Sequence, residues 1–388
     1  MPSRALLPWS EELLRYDFGG HHPMTPRRLA LTYDLMTALG VTAAMTITDV
    51  PLAAEDDLER VHTPDYIAAV KRARPGSSEP RYGLGDPDTP AFPDMHEASA
   101  RIVGATLRAA RAVWHGEAPR AWSLAGGMHH AMPARAGGFC VYNDVAVAIA
   151  ALLAEGATRI AYVDVDAHHG DGVERAFWDD DRVLTISIHQ HPDTLYPGTG
   201  YVQDGGGPAA RGYAVNAPVP PGTTDDEWLR VVDAIVGPLV EEFRPEVLIT
   251  QHGCDTHPRD PLARLAVSVD AQREVAQMCG EYAQRFAQGR WVATGGGGYD
   301  VSDVVPRVWS HVAAIVAGRP IDVATALPRE WREHAGVAEA GATTMGDGRT
   351  PQLRSLSEGF DPSDDVDRVI MAVRRAVFPW HGLDPMPH

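Results

Sequence analysis

Between residues 121 and 296, six short apolar runs alternate with stretches long enough for helices. The runs are AWSLA (121–125), RIAYVDV (159–165), RVLTISI (182–188), YAVNAPV (213–219), EVLITQH (246–252) and RWVATGG (290–296). Residues 141–156, 224–243 and 268–289 between them read as helices. Strands that alternate with helices pair in parallel, because each crossover carries the chain back to the same sheet end. The helices then cover both faces. The expected fold is therefore a three-layer α/β domain. Upstream, PRRLALTYDLMTALG (26–40) opens on proline and stops at glycine, as a helix does, and 96–116 is a second helical stretch. The Pro-, Gly- and Asp-rich segment 79–95 reads as a loop, and residues 1–118 read as mostly helical or irregular. The expected organisation is one catalytic domain over 1–320. Residues 321–388 are expected to be a proline-rich C-terminal extension, packed on the domain or partly disordered.

Several function classes fall away. The formal net charge is -18, so a broad nucleic-acid surface, which needs clustered Lys and Arg, is not expected. The longest clean apolar run, VAVAIAALLA (145–154), is too short to span a bilayer, and the N-terminus has no signal-peptide core. Cys140, Cys254 and Cys279 are odd in number and widely spaced, which argues against a disulfide framework and fits a cytoplasmic protein. Oligomeric state is not fixed by any of these features.

In parallel α/β sheets ligands bind beyond the carboxyl ends of the strands. After five of the runs come GGMHHA, DVDAHHGDG, SIHQHPDTLYPGTG, QHGCDTHPRD and GGGGYD. His, Asp, Gly and Tyr thus converge on one rim. In an extended segment Asp164, Asp166 and His168 share a side, and Asp255 follows another strand. Two carboxylates and one imidazole leave a position open for water and substrate, the catalytic rather than the structural arrangement. Zn²⁺ suits this donor set, and Fe²⁺, Mn²⁺ and Co²⁺ accept similar ones. A lone Asp would more often cap a helix or pair with Arg; a cluster with partners on other strands is harder to explain that way. His129 and His130 would supply a general base and an electrostatic partner, with Asp164 and Asp171 available to fix their tautomers. Tyr299, on a glycine-rich turn that lacks the GK[ST] of a phosphate loop, can donate to an oxyanion.

GGHHPMTPRRL, GGMHHA, GGFCVYNDVAVAI, YVDVDAHHGDGVERAF, TISIHQH with LYPGTG, GCDTHPRDPLARL and GGGGYD resemble, in order and form, the zinc-dependent histone-deacetylase-like enzymes, over roughly residues 15–320. QHGCDTHPRDPLARLAVS is most similar to the bacterial acetoin-utilization branch of class I. The resemblance implies the arginase/deacetylase fold, with a central eight-stranded parallel sheet. It implies Zn²⁺ on Asp166, His168 and Asp255, His130 as general base and acid, and His129 as its electrostatic neighbour. Asp164 and Asp171 would support the two histidines, and Tyr299 would stabilise the oxyanion. Phe139 and Tyr196 would line an acyl-lysine tunnel beside Gly138, with Leu262 and Asp88 at its rim and Arg28 in an internal channel. It further implies K⁺ at an inner site (Asp164, Asp166, His168, Ser187, Ile188) and an outer one (Phe177, Asp180, Val183, Tyr213). The implied substrate is an acetylated protein or peptide, and the branch suggests an acetyl-CoA synthetase. The departures are Tyr196, where many relatives have phenylalanine, and His189, His191 and His257, expected to crowd the rim and to bind substrate or stray metal. Arg264, after Leu262, is expected at the entrance. A dinuclear arginase-like reading is disfavoured because GCDTHPRD lacks an SxDxD pattern. A non-catalytic reader is disfavoured because the tyrosine and both histidines are present. An acetylpolyamine deacetylase stays open, although Leu262 stands where an acidic gatekeeper would be expected.

Overall fold

A computed structural model describes residues 4–20, 22–337 and 341–386. Eight parallel strands form one sheet: β1 (Leu6–Pro8), β2 (Thr46–Thr48), β3 (Arg120–Ser123), β4 (Ile160–Asp164), β5 (Val183–Gln190), β6 (Ala214–Val219), β7 (Val247–Gln251) and β8 (Trp291–Thr294). Their order is β2-β1-β3-β8-β7-β4-β5-β6. This is the three-layer arginase/deacetylase fold, helices covering both faces. Every residue of β4 to β8 is buried, which explains why these segments read as continuous apolar runs rather than alternating ones.

β1 and β2 correct the reading of residues 1–118 as helical or irregular. Each is three residues long, too short to show a period, and β2 is a largely exposed edge strand. Their pairing with each other and with β3 is long-range and leaves no local pattern.

The register positions the site. Ser123 pairs with Thr294, Thr294 with Gln251, and Gln251 with Asp164, so the four central strands end in one level row. The segments carrying the His pair, the Gly-Tyr turn, Asp255 and the Asp-x-His motif all leave the sheet from that row. The helices behind it are capped locally. Asn143 accepts from the Ala146 amide to start Asp144–Ala154, and Ser268 accepts from Ala271 to start Val269–Phe286. The 224–243 helix is interrupted by one π-helical turn at Val232–Val236.

Beyond residue 320, helix Arg329–Ala335 seats Trp331 against helix Arg27–Ala38, its indole donating to the Leu31 carbonyl at 3.0 Å. Helix Asp365–Val377 is tied down by an ion pair in which Arg230 Nη2 meets Asp367 Oδ2 at 2.9 Å. Both side chains are almost fully buried. Asp367→Ala should lower unfolding stability by about 3–5 kcal/mol, because it strands a buried guanidinium. A double Arg230→Met, Asp367→Leu change should cost much less, since neither charge remains. Urea midpoints of the three proteins check this. No helix among the described residues is long and apolar enough to cross a membrane.

Candidate active site

Asp166 and His168 lie on the loop leaving β4, and Asp255 lies on the loop leaving β7. One ligand atom from each falls within 4.8 Å of the others, the only such His/Cys/Asp/Glu group among the described residues. His168 Nδ1 is 3.1 Å from Asp166 Oδ1 and 2.9 Å from Asp255 Oδ2. All three residues are buried. Glycine makes the convergence possible: a Cβ at Gly297 would lie 2.0 Å from Asp255 Oδ2. The Gly297 amide instead donates to Asp166 Oδ2 at 2.7 Å.

Burial raises the Asp255 carboxyl, and the nearby Asp166 charge raises it further. Burial alone would lower His168, but Asp255 and Asp166 outweigh it and push its pKa up to about 10. Two buried carboxylates facing one imidazole thus hold a proton in the space between them. A divalent cation satisfies the same donors without it, so the donor set fits a single metal. Among the described residues no second group of this kind stands beside it, which disfavours a dinuclear site.

The His pair follows β3. His129 Nδ1 lies 2.7 Å from Asp164 Oδ2, and His130 Nδ1 lies 2.7 Å from Asp171 Oδ1. The two Nε2 atoms are 3.1 Å apart. Burial opposes charging His129, yet the Asp164 and Asp166 charges lift its pKa to about 9. For His130, burial and then the charge on His129 lower the pKa to about 4, against the pull of Asp171. The two imidazoles are driven apart, and His130 is the neutral one. With Nδ1–H given to Asp171, His130 Nε2 carries the lone pair, which faces His129 Nε2 at 3.1 Å and must turn from it to water to act as a base.

Tyr299 lies on the turn after β8. Its hydroxyl makes no hydrogen bond among the described residues, and burial, then Asp255, keep it protonated. Together with His130, His168, Gly138, Phe139, Leu195, Tyr196, Leu262 and Asp88 it lines a cavity of about 220 Å³. The Tyr196 ring stands edge-on to His130 with centroids 5.0 Å apart, and Phe139 stands edge-on to Tyr299 at 5.8 Å. Tyr196 and Leu262 are exposed at the outer end, as is Asp88. A Cβ at Gly138 would come within 2.4 Å of the His130 ring, so only glycine lets this wall close on the histidine. Phe139, next to it, takes φ +67, which is strained for a residue with a side chain.

The remaining expected residues fall as follows. Arg28 is buried behind Tyr299, its guanidinium carbon 5.6 Å from that ring's centroid. Asp164 is paired in register with Ser187, and Ile188 follows on β5, which sets these three of the residues expected at an inner potassium site side by side. Phe177, Asp180 and Val183 share one turn through main-chain bonds, and the Tyr213 carbonyl accepts from the Thr185 amide on the neighbouring strand. The Asp180 carboxylate is engaged by Arg182, Nη2 to Oδ2 at 2.6 Å. The rim expectation is corrected for two histidines. His189 is buried between Ser187 Oγ (2.9 Å) and the Gly200 carbonyl (2.9 Å), and His257 is buried against Asp347 (3.1 Å). His189 lies within β5, which runs two residues past the apolar run and is buried throughout, and His257 lies buried on the loop after β7. His191 alone is partly exposed, near Tyr201. Arg264 is exposed and reaches the Thr194 carbonyl at 3.3 Å. Cys140, Cys254 and Cys279 are buried and unpaired.

Sequence reasoning did not single out a supporting layer. Asp144 accepts from the Met128 amide at 2.8 Å and Asn143 Nδ2 donates to the His129 carbonyl at 3.1 Å, fixing the His-pair loop. Asp260 accepts from the Tyr299 amide at 2.9 Å, and the Tyr162 hydroxyl donates to Asp164 at 2.7 Å. The Tyr16 hydroxyl donates to the Phe139 carbonyl at 2.7 Å. The adjacency of Asn143 and Asp144 to GGFCVY, and of Asp260 to Asp255, was the available signal.

The histone deacetylase domain family matches residues 22–316. The chain belongs to that family. The acetoin utilization protein AcuC of Bacillus subtilis is 41% identical over 83% of this chain and 84% of its own length. The protein of that name in Staphylococcus xylosus is 37% identical over 83% of this chain and 85% of its own. A crystal structure of an HDAC homolog from Aquifex aeolicus superposes with a TM-score of 0.82 at 28% identity, covering 95% of this chain and 99% of that one. A structure of an HDAC homolog complexed with SAHA matches equally well, at 0.82 and 28%, over 96% and 99%. This deacetylase-family hydrolase is thus AcuC-like across most of its length.

Proposed function

We propose that this deacetylase hydrolyses the amide of Nε-acetyl-lysine in proteins or peptides, releasing acetate and free lysine. The observation that carries the reading is the cavity of about 220 Å³, which runs from an exposed rim between two aromatic walls to His130, His168 and Tyr299. Such a tube suits a flexible methylene chain with an amide at its end. Asp166, His168 and Asp255 would hold one divalent cation, Zn²⁺ or a similar ion, which supplies Lewis acidity beside the acyl oxygen and the attacking water.

The chain's own groups do the rest. His130 Nε2 takes the proton from water as the oxygen attacks the acyl carbon. Tyr299 Oη donates to the oxyanion that forms, in a buried setting where such a bond is strong. His130 then returns its proton to the nitrogen as the C–N bond breaks, so the amine leaves neutral. Asp171 holds the His130 tautomer, and the His129–Asp164 pair keeps positive character beside the forming anion. Phe139 and Tyr196 exclude water, Gly138 lets them close in, and Asp88 and Leu262 meet the substrate main chain at the rim. Asp164, Asp166, His168, Ser187 and Ile188 would bind K⁺, partly through backbone oxygens. Phe177, Asp180, Val183 and Tyr213 would form the second K⁺ site. Three unpaired thiols suit a reducing cytoplasm, and an acetyl-CoA synthetase is the protein target the branch suggests. The test compares kcat/KM on an acetyl-lysine peptide and on acetylspermidine. A clear preference for the peptide is expected, and equal or inverted values would overturn the protein-lysine reading.

A further inference from the structure

His257 stands two residues beyond Asp255, and both nitrogens of its buried ring are engaged. The Arg259 amide donates to Nδ1 at 3.1 Å. Nε2 therefore carries the hydrogen, and it donates to Asp347 Oδ2 at 3.1 Å. The His257 amide donates to the Cys254 carbonyl at 3.4 Å, which closes a turn around Asp255. Whatever fixes the His257 ring thus fixes the turn that presents Asp255 to Asp166 and His168.

Asp347 comes from the C-terminal extension, outside the residues 22–316 that the family match covers. Its side chain reaches inward and is 20% exposed. Oδ2 also accepts from the Val269 amide at 2.8 Å, and Oδ1 meets Arg307 Nη1 at 2.7 Å. Arg307 is buried and donates from Nε to Asp303 Oδ1 at 2.7 Å, and Asp303 pairs with Arg259. This chain of alternating charges returns to the residue whose amide holds His257. The backbone behind the carboxylate is anchored as well. The Asp347 and Arg349 amides donate to Asp270 Oδ2 at 2.8 and 3.2 Å. Met345 is buried in one apolar cluster with Leu31 and Trp331. An acceptor held on both sides can orient the loop, as the outer partners of metal ligands do.

We propose that the C-terminal extension completes the metal site, with Asp347 acting through His257 as a positioning residue for Asp255. This rests on the single-metal reading above. The test substitutes Asp347→Asn, which keeps the shape but turns one acceptor oxygen into a donor. Arg307 keeps Asp303, so no buried charge is stranded. Each protein is titrated with Zn²⁺ against a chromophoric chelator, and its urea midpoint is measured. Asp347→Asn should raise the Zn²⁺ Kd by about 10-fold or more. His257→Gln should do the same. The double variant should bind within about 2-fold of the weaker single one, because one contact carries both effects. Asp367→Ala loosens the extension elsewhere. It should lower the urea midpoint yet leave the Zn²⁺ Kd within about 2-fold of wild type. A folded Asp347→Asn protein whose Zn²⁺ Kd stays within about 3-fold of wild type would overturn the proposal. So would an equal loss of zinc affinity in Asp367→Ala, which marks a general loosening. If Asp347→Asn does not fold, His257→Gln set against Asp367→Ala decides by the same limits. Zinc affinities in the expected order, from a wild type that cleaves no acetyl-lysine peptide, would leave the positioning role standing and remove the hydrolysis reading. A wild type that binds no Zn²⁺ overturns both.

Discussion

His130→Ala should lower kcat on an acetyl-lysine peptide by about 10²–10⁴-fold with little change in KM, the range by which a positioned general base contributes. The size of the effect follows from the environment. His130 is the one imidazole of the pair that burial and the neighbouring charge keep neutral, at a pKa of about 4, while His129 is held near 9. No other described side chain of the cavity offers an uncharged nitrogen lone pair beside His168 and Tyr299. His129 cannot substitute easily, because both of its nitrogens are engaged, at 2.7 Å by Asp164 and at 3.1 Å by His130. Asp171→Asn should give a smaller loss of the same kind, since an amide opposite Nδ1 no longer enforces the tautomer that leaves Nε2 unprotonated. Steady-state kinetics with metal content measured on each variant check both, and an unchanged kcat in His130→Ala would remove His130 from the chemistry.

Tyr299→Phe should reduce kcat by about 10²–10³-fold, again with KM nearly constant, as loss of one oxyanion donor does. The change is conservative in shape. The phenyl ring keeps its edge-on contact with Phe139 and its place beside Arg28, so the cavity should persist. What disappears is one hydroxyl, kept protonated by burial and without a hydrogen-bond partner among the described residues. A donor left free in the ground state is spent on the transition state, which is why the loss should fall on kcat. A variant whose KM rose while kcat held would place Tyr299 in substrate binding instead.

The order of residues around the site was legible because parallel strands deliver whatever follows them to one edge. Each of the five segments read after an apolar run ends on that edge. The level row Ser123, Thr294, Gln251 and Asp164 is what turns sequence neighbours of four distant strands into spatial ones. β1 and β2 were not legible, since three residues carry no period and their stability comes from pairing with distant strands. His189 and His257 were misplaced for a related reason. His189 belongs to β5, which extends past the apolar run that marks it, and for His257 the sequence shows that it follows a strand end but not which way its side chain turns there. The supporting acceptors Asp144 and Asp260 act on backbone amides, and an acceptor of that kind imposes no partner residue type that a pattern could reveal.

The proposed hydrolysis requires one metal held by Asp166, His168 and Asp255 beside His130 and Tyr299. The most direct measurement titrates Zn²⁺ into metal-stripped protein and follows bound metal and hydrolysis of an acetyl-lysine peptide in the same samples. Activity should rise in proportion to bound metal and reach its plateau at one ion per chain, and Asp255→Asn should neither hold that ion tightly nor regain activity. Full activity in the stripped protein, or a plateau that needs two ions per chain, would contradict it.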